Sequence, residues 1–412
     1  MIEFFFIFLQ LLFFICAFSN FPRMHIGNFS IGDKNYFIVN ICISCILFIN
    51  LLLFLSFFQI NYLSVLIILI LIASFNFIQI IKQLKLFNSF VFCFIFITSV
   101  FFIMIASQVE LGWDAQEVWN LKAQNFFYNK NFWDLKDTSF PSYPFAGTLP
   151  WFFFWKYSYL QHEYFGRLFY IFLYLAALFM AIKPKNSFNL NVLLTLLIII
   201  IATFKIDYFL GYQEYLIFSI IVAAIFFIMN QPKQNTYFLI LLLLIFNSLI
   251  WIKNEGVLFG FIIIFFSYYY NKFSFRFNVI LILFAVFLLL LKCYLFYKSL
   301  GVSEGMSLNF LIYQNFLQNI VQIVFYFIVN SFKHPIWVLI IFFLFFNKNK
   351  NDNCFRYLFL ILCASYIFIY LSLAGDIKWF LSNSSDRYML MCSAFFVPFI
   401  SQKIIRILES YK

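Results

Sequence analysis

Charged residues are scarce in this sequence. Asp, Glu, Lys and Arg make up only 10% of its 412 residues, whereas they make up about a quarter of a soluble globular domain. Hydrophobic residues make up 65%, and phenylalanine alone occurs 69 times. This balance excludes a water-soluble protein.

The sequence also lacks the polar and apolar alternation that the strands of a membrane barrel need. Its apolar stretches instead run unbroken, for example over residues 193–201 and 280–291. In an α-helix, about 20 apolar residues cross a bilayer core about 30 Å thick. The chain is therefore predicted to be an all-α polytopic membrane protein.

Two further kinds of pattern are missing. The net charge is +11, but the basic residues lie in short loops between apolar runs rather than in one soluble patch, which excludes a nucleic-acid partner. Of the eight cysteines only Cys354 lies in a polar loop, and Cys42 and Cys45 have no histidine or carboxylate beside them. Neither a disulfide framework nor a zinc site is predicted.

The polar loops divide the chain into five regions. N-terminal spans (1–106) precede a large polar loop (107–165), further spans (166–297), a second loop region (298–333) and C-terminal spans (334–412). About thirteen membrane spans are predicted, near residues 2–19, 36–58, 60–81, 88–106, 166–182, 189–205, 210–229, 236–252, 256–270, 277–297, 334–346, 355–374 and 388–406.

The stretch 308–330 is apolar but carries six amide side chains, so it is predicted to be an interfacial amphipathic helix rather than a span. Counting it as a span would reverse the orientation of everything that follows it. These six are Asn309, Gln314, Asn315, Gln318, Asn319 and Gln322.

Charges of opposite sign separate between alternate loops. One set holds most of the basic residues, such as Lys183 and Arg406, and the positive-inside rule makes that side cytoplasmic. The other side receives 13 of the 16 carboxylates, all except Asp33, Asp352 and Glu409. Because acidic residues do little to set orientation, their accumulation outside indicates a functional surface.

The large loop begins with an amphipathic pattern. Wound as a helix, it predicts one polar arc and one apolar arc lying on the membrane surface. A turn containing Tyr143 and Pro144 follows as the chain returns to the membrane. The polar arc holds Asp114, Gln116, Glu117, Asn120 and Gln124, and the apolar arc holds Ala115, Trp119, Ala123 and Phe126.

Three more polar motifs lie on the same side, each where a span meets a loop. A solvated surface or simple ion pairs, such as Asp386 with Arg387 or Lys253 with Glu255, explain any one of them equally well. Their coincidence on one face points to a common site. The motifs are Asp207 with Gly211-Tyr-Gln-Glu214, Lys253-Asn-Glu255-Gly256, and Asp376-Ile-Lys378 through Asp386-Arg387.

With these motifs the chain resembles the bacterial integral-membrane glycosyltransferases of the GT-C superfamily. Trp113-Asp-Ala and Leu121-Lys-Ala, followed by Tyr143-Pro, are similar to the first large loop of those enzymes. The motifs at 211–214, 253–256 and 376–387 resemble their Gly-Tyr-Ala-Asp, Lys-Asn-Glu-Gly and Asp-Leu-x-Trp-His-Leu…Asp-Arg elements. Glu214 replaces the usual Asp, and Phe380 replaces the usual His.

The resemblance implies a GT-C-like bundle that transfers a hexosyl or pentosyl group, with inversion, from a polyprenyl-phosphate donor. The acceptor is a lipid or a cell-envelope glycan, and the active site faces the periplasm from the bacterial inner membrane. Asp114 carries over as the catalytic base, with Glu117 beside it and Glu214 as a second acid.

The donor phosphate needs positive charge, which Lys253, Lys378 and Arg387 supply on the outer side. Glu255, Asp376 and Tyr143 are expected to line the same site. A divalent cation, Mg²⁺ or Mn²⁺, is compatible with these carboxylates and a phosphate, but the sequence does not require one. Besides the two substrates, membrane lipids are the expected partners.

Other functions fit parts of the pattern, and a non-catalytic scaffold would also fit a polytopic chain with a large outer loop. A transporter or flippase for lipid-linked glycans would use charges at membrane depth, and Lys292 and Glu214 favour it. An O-antigen-polymerase-like enzyme would use outer arginines and a histidine, for which Arg167, Arg387 and His162 are the candidates.

Overall fold

A computed structural model describes residues 2–19, 36–58, 60–82, 89–108, 110–182, 189–230, 236–271, 273–300, 316–346, 352–372 and 377–410. Within these ranges every regular element is a helix. An all-helical chain satisfies its backbone hydrogen bonds within each segment, as a bilayer requires. The predicted fold class is therefore confirmed at this level.

The first half of the described chain contains nine α-helices. Short π-helical or 3₁₀ segments join the long ones: Ala115–Asn120 before α5, Phe132–Asp137 after it, and Ile206–Phe209 before α9. The helices are α1 (Ile2–Phe18), α2 (Tyr36–Ser56), α3 (Leu63–Lys82), α4 (Ser89–Ala106), α5 (Leu121–Phe127), α6 (Thr148–Lys156), α7 (Tyr164–Ala181), α8 (Leu190–Thr203) and α9 (Glu214–Asn230).

The second half contains eight more. A π-helical segment, Phe342–Phe346, extends α14, and a 3₁₀ turn, Ala394–Phe396, joins the last two helices. The helices are α10 (Thr236–Ile252), α11 (Glu255–Asn271), α12 (Phe275–Leu300), α13 (Phe316–Lys333), α14 (Pro335–Ile341), α15 (Asn353–Ser372), α16 (Ile377–Ser393) and α17 (Val397–Ser410).

Seven helical segments of the described chain are long and apolar enough to cross a membrane. They are α2, α3, α4, α7, α12, α15 and the continuous run of α16 and α17. The bent pair α13 and α14 raises the number to eight, and α1, α8, α9 and α10 are shorter apolar helices. The chain is a membrane protein, while the predicted number of thirteen spans is not confirmed.

The centre of the bundle is formed by α7 and α9. Every residue of α7 from Tyr164 to Ala181 is buried, as are those of α9 from Glu214 to Ile228. A helix that is apolar all round belongs in the interior of a bundle. These two helices pack on each other, and α2, α4 and α6 pack around α7.

Two regions depart from the predicted layout. Residues 148–156, predicted as loop, form α6, whose aromatic face is buried against α7. Residues 377–387, also predicted as loop, are the first turns of α16. The hydroxyl of Ser384 bonds to the backbone oxygen of Phe380 at 2.9 Å and meets the hydroxyl of Tyr370 at 2.9 Å, so this polar stretch is satisfied as a helix.

Part of the stretch 308–330 is confirmed as helix, while its predicted place at the membrane interface stays a prediction. Residues 308–315 lie outside the described residues, and the remainder belongs to α13. A bend of 103° separates α13 from α14. His334 and Pro335 lie at the bend, where proline begins the new helix at its first position.

Candidate functional site

One end of the bundle, which we call the charged end, holds Asp114, Glu214, Lys253, Glu255 and Arg387. The amide of Gly112 donates to the carbonyl of Leu210 at 2.9 Å, and Ala146 donates to Trp251 at 2.8 Å. These bonds attach the loop region 110–163 to the connection before α9 and to the end of α10. Residues distant in sequence are thereby held together.

Arg167 of α7 also holds the loop region in place. It is fully buried, it pairs with Glu163 one helical turn earlier, and it donates to the backbone oxygen of Gln108 at 2.7 Å and of Phe209 at 3.3 Å. These bonds join the loop region to the bundle.

Five charged side chains form an ion-pair network at the charged end. Arg387 of α16 lies 2.5 Å from Asp114 and 3.4 Å from Glu214. Lys253 lies 2.8 Å from Glu214 and 3.9 Å from Glu255. Residues from four separate predicted motifs thus converge on one Arg and one Lys.

Burial within the network is graded. The side chain of Glu214 is 1% exposed, those of Lys253 and Arg387 are 12% and 16% exposed, and that of Asp114 is 30% exposed. Glu214 is therefore the most deeply buried residue of the network, which we call the floor of the site, and Asp114 lies at its solvent-exposed edge. The second carboxylate oxygen of Glu214, Oε2, is buried without a hydrogen-bond partner in the described structure.

The charge of Lys253 is maintained by its neighbours. Burial acts to lower the pKa of Lys253, but the carboxylates of Glu214 and Glu255 outweigh it, so the pKa is raised. A lysine in this position stays protonated at neutral pH.

Tyr212 orients Arg387. The guanidinium carbon of Arg387 lies 5.0 Å from the centre of the Tyr212 ring, a cation–π distance. The ring also lies close to Gly112, where a Cβ would come within 2.3 Å of it. Gly211, immediately before Tyr212, has φ of +93°, a conformation that favours glycine.

A second polar cluster adjoins the network through Asp386. The hydroxyl of Tyr208 donates to Asp386 at 2.5 Å, Lys205 lies 3.7 Å from the same carboxylate, and Nε2 of His334 meets the backbone oxygen of Asp386 at 2.9 Å. The alternative of a simple side-chain ion pair between Asp386 and Arg387 does not hold, since the guanidinium pairs with Asp114 and only the backbone amide of Arg387 donates to Asp386, at 2.8 Å. On a helix, adjacent side chains diverge by about 100°, so Asp386 and Arg387 point to different neighbours. Asp386 contacts Tyr208 and Lys205, and Arg387 contacts Asp114.

In comparisons with known proteins, no family model, no curated protein and no solved structure matches this chain. The chemistry of the site therefore rests on its own residues.

The structure also describes three of the four remaining predicted site residues. Glu117 is exposed on the π-helical segment, one turn beyond Asp114. Tyr143 packs edge-on against Trp119, with ring centres 6.1 Å apart. Lys378 is exposed at the start of α16, roughly 13 Å from Arg387 along the helix axis at 1.5 Å per residue. Asp376 lies outside the described residues.

The predicted amphipathic helix does lie with its apolar arc buried. Ala115, Trp119 and Ala123 are inside, whereas Gln116 and Glu117 are exposed. Lys122 is an unforeseen member of the buried side, with its ammonium 2.5 Å from the backbone oxygen of Tyr143. Its position three residues after Trp119 was the available signal, because that spacing places both on one face.

Within the described residues, no three His, Cys, Asp or Glu side chains lie close enough together to hold a metal ion. The carboxylates of Asp114 and Glu214 are paired with Arg387 and Lys253 instead. Tyr212, Lys205, Tyr208 and His334 also belong to the charged end, and sequence reasoning had assigned them no role. Only Tyr212 had a signal, since it lies inside the Gly-Tyr-Gln-Glu motif.

Proposed function

We propose that this protein is a membrane glycosyltransferase that moves a sugar from a polyprenyl-phosphate donor to a lipid or glycan acceptor at the extracytoplasmic face. The observation that carries the proposal is the network itself. Two cations and a half-exposed carboxylate meet at the end of an apolar bundle. A lipid-linked phosphate sugar presents the matching combination of apolar chain, anion and hydroxyl-rich group.

The cations suit the leaving phosphate. Arg387 and Lys253 lie on either side of Glu214 and are partly exposed, so a phosphate can approach both. Arg binds phosphate with two parallel N–H donors, and Lys adds a point charge. As the bond from the anomeric carbon to the phosphate oxygen breaks, its electron pair stays on the phosphate, which these cations stabilise.

Asp114 suits the role of general base. It is the most exposed carboxylate on Arg387, and a phosphate that binds Arg387 competes for that guanidinium and frees the carboxylate. The freed carboxylate takes the proton of the acceptor hydroxyl as its oxygen attacks the anomeric carbon. Attack opposite the departing phosphate inverts the configuration. The same residue pair then links donor binding to activation of the acceptor.

Glu214 fits a positioning role better than a second catalytic acid. Its side chain is almost fully buried, and one oxygen contacts both Lys253 and Arg387. A carboxylate at this depth cannot reach an acceptor that approaches from the open edge. It holds the two cations at a fixed separation and partly neutralises them, so that the empty site is not a cluster of unpaired positive charge.

Two alternatives find less support. Transport would call for charges distributed along a pathway through the bundle, whereas four of these five charged residues lie in connections or at helix starts, and Arg387 alone of the five lies well inside a helix. A polymerase-like enzyme would need its outer arginines for substrate. Arg167 is fully buried and bonded to Glu163 and to two backbone oxygens.

The test is sugar transfer by the purified protein in vesicles that contain a labelled polyprenyl-phosphate sugar and extracted envelope lipids. Asp114→Asn keeps the shape of the side chain but removes the base, so the turnover rate should fall by about 10²-fold to 10⁴-fold. The matched control is Asp137→Asn, an exposed acid of the same loop, which should transfer sugar at the wild-type rate.

Full activity in Asp114→Asn would remove this residue from the mechanism. Movement of labelled carrier across the bilayer without a new glycosidic bond would instead identify the protein as a transporter.

A further inference from the structure

Lys292 is a charged residue inside one of the most apolar helices of the protein. It belongs to the membrane-spanning part of α12, Phe275–Lys298, and only 7% of its surface is exposed. An ammonium group at membrane depth is costly, so it persists where it has partners and a function. The mechanism above leaves Lys292 unused.

The partners of Lys292 lie at the end of α10. Its ammonium donates to the backbone oxygen of Ile250 at 2.7 Å and lies 3.5 Å from the side-chain oxygen of Asn254. The ring of Phe296, one turn further along α12, lies 5.6 Å from the same nitrogen. The contacts with Ile250 and Asn254 direct the charge at the end of α10 and at the turn between α10 and α11.

The end of α10, which leads into this turn, has carbonyl groups that need hydrogen-bond donors. The last carbonyls of a helix have no partner within the helix. Here the oxygen of Leu249 accepts from the amide of Lys253 at 3.4 Å, and that of Trp251 accepts from Ala146 at 2.8 Å. Lys292 supplies the missing donor for the carbonyl between them, and its positive charge also suits the negative end of the helix dipole.

The turn is short and tightly packed. A Cβ on Gly256 would lie 1.9 Å from the backbone oxygen of Leu249, so the start of α11 touches the end of α10. Lys253 and Glu255, two members of the ion-pair network, are carried directly on this turn. A shift of the last carbonyls of α10, at residues 249–251, would therefore move Lys253 relative to Glu214.

We propose that Lys292 is a positioning residue, which caps α10 from the neighbouring helix α12 and thereby fixes Lys253 in the network. Its effect on catalysis rests on the proposed function, whereas its effect on the turn does not. Without the ammonium, the oxygen of Ile250 is left without this partner, and the turn opens to relieve it. Lys253 then spends less time beside Glu214, and the site binds an anionic donor more weakly.

The first measurement is amide hydrogen exchange of the segment 249–257 in the full-length protein in nanodiscs. Lys292→Met should raise exchange in this segment by about tenfold, because one buried carbonyl loses its donor. Lys292→Arg retains a donor and should stay close to wild type. Lys298→Met is the matched control, since Lys298 is an exposed residue of the same helix, and its exchange should be unchanged.

The second measurement is transfer kinetics on the same proteins. Lys292→Met should raise KM for the polyprenyl-phosphate sugar by about tenfold and change kcat less, and Lys292→Arg should restore most of the affinity. Wild-type exchange in Lys292→Met overturns the capping role whatever the activity. Raised exchange with unchanged KM overturns the positioning role. A wild-type protein without any transferase activity refutes the proposed function, and the exchange data then decide the capping role alone.

Discussion

Single residues at the charged end differ in role because they differ in depth. Glu214 is closed off, Lys253 and Arg387 are partly open, and Asp114 lies at the edge. Because Glu214 is buried, it can hold two cations in place. In the proposed mechanism, the same burial keeps this carboxylate away from the acceptor. In the proposed mechanism, Asp114 exchanges its ion pair for a proton transfer, because its partly exposed side chain is open to water and substrate.

Lys122 provides a pH-dependent test at the residue level. Burial lowers the pKa of Lys122 to about 7, whereas the unfolded chain has a lysine pKa near 10.4. The unfolded state thus binds more protons between about pH 7 and pH 10, and stability should rise with pH there by up to about 1.4 kcal/mol per unit. The thermal unfolding midpoint of the detergent-solubilised protein should increase from pH 7 to pH 9.

Lys122→Met isolates this contribution. The variant cannot titrate, so its midpoint should lose the increase between pH 7 and pH 9 that the wild type shows. Lys136→Met is the control, because Lys136 is exposed in the same loop region, and it should keep the wild-type pH dependence. An identical slope in wild type and Lys122→Met would contradict a buried, neutral lysine.

Among the structural elements, the short turn before α9 contributes several neighbouring residues to the site. Gly211 bends the chain, Tyr212 supports Arg387, and Glu214 begins α9 as the floor of the site. At Gly211 a Cβ would come within 2.7 Å of both the Cβ of Ala115 and the ring of Trp151. Close approach and positive φ together require glycine.

Gly211→Ala should therefore destabilise the fold by roughly 1–3 kcal/mol, the usual cost of a strained backbone conformation. It should also displace Tyr212 and weaken donor binding. Thermal unfolding and KM for the donor measure the two effects. Ser74→Ala is the control, because Ser74 is exposed on α3 and bonds only to the backbone oxygen of Ile70. A Gly211→Ala protein with both wild-type values would show that the turn tolerates a side chain.

Sequence patterns predicted long apolar helices better than polar or aromatic short ones. The predicted ends of α2, α4, α8 and α10 agree with the structure to within two residues, because an apolar run ends where polar residues begin. The start of α16 was missed, since its serines look like a loop until Tyr370 and Phe380 are seen to accept or share their hydrogen bonds. The helix α6 was missed because Pro144, Gly147 and Pro150 resemble a turn.

All five network residues were among the predicted site residues, together with others that lie elsewhere, whereas most of their ion pairs were not predicted. Spans of alternating direction bring every second connection to the same end, so Asp114, Glu214, Lys253, Glu255 and Arg387 were expected on one face. Which carboxylate faces which cation depends on helix rotation and packing, for which the sequence has no local signal. Hence the pairing of Arg387 with Asp114, 273 positions away, and the capping by Lys292 emerged only in three dimensions.

For the whole molecule, the decisive expectation is that the network faces outward and the basic loops face the cytoplasm. In a variant with all eight cysteines replaced, single cysteines at Trp113, Arg406 and Phe284 would be treated with a membrane-impermeant maleimide. Trp113 is 65% exposed beside Asp114, Arg406 is exposed on α17, and Phe284 lies in the middle of α12. Trp113→Cys should be labelled in intact spheroplasts and Arg406→Cys only after permeabilisation, while Phe284→Cys should resist both treatments, since lipid excludes the charged reagent. Labelling in the opposite order would place the network on the cytoplasmic side, where a donor that presents its sugar outside could not reach it.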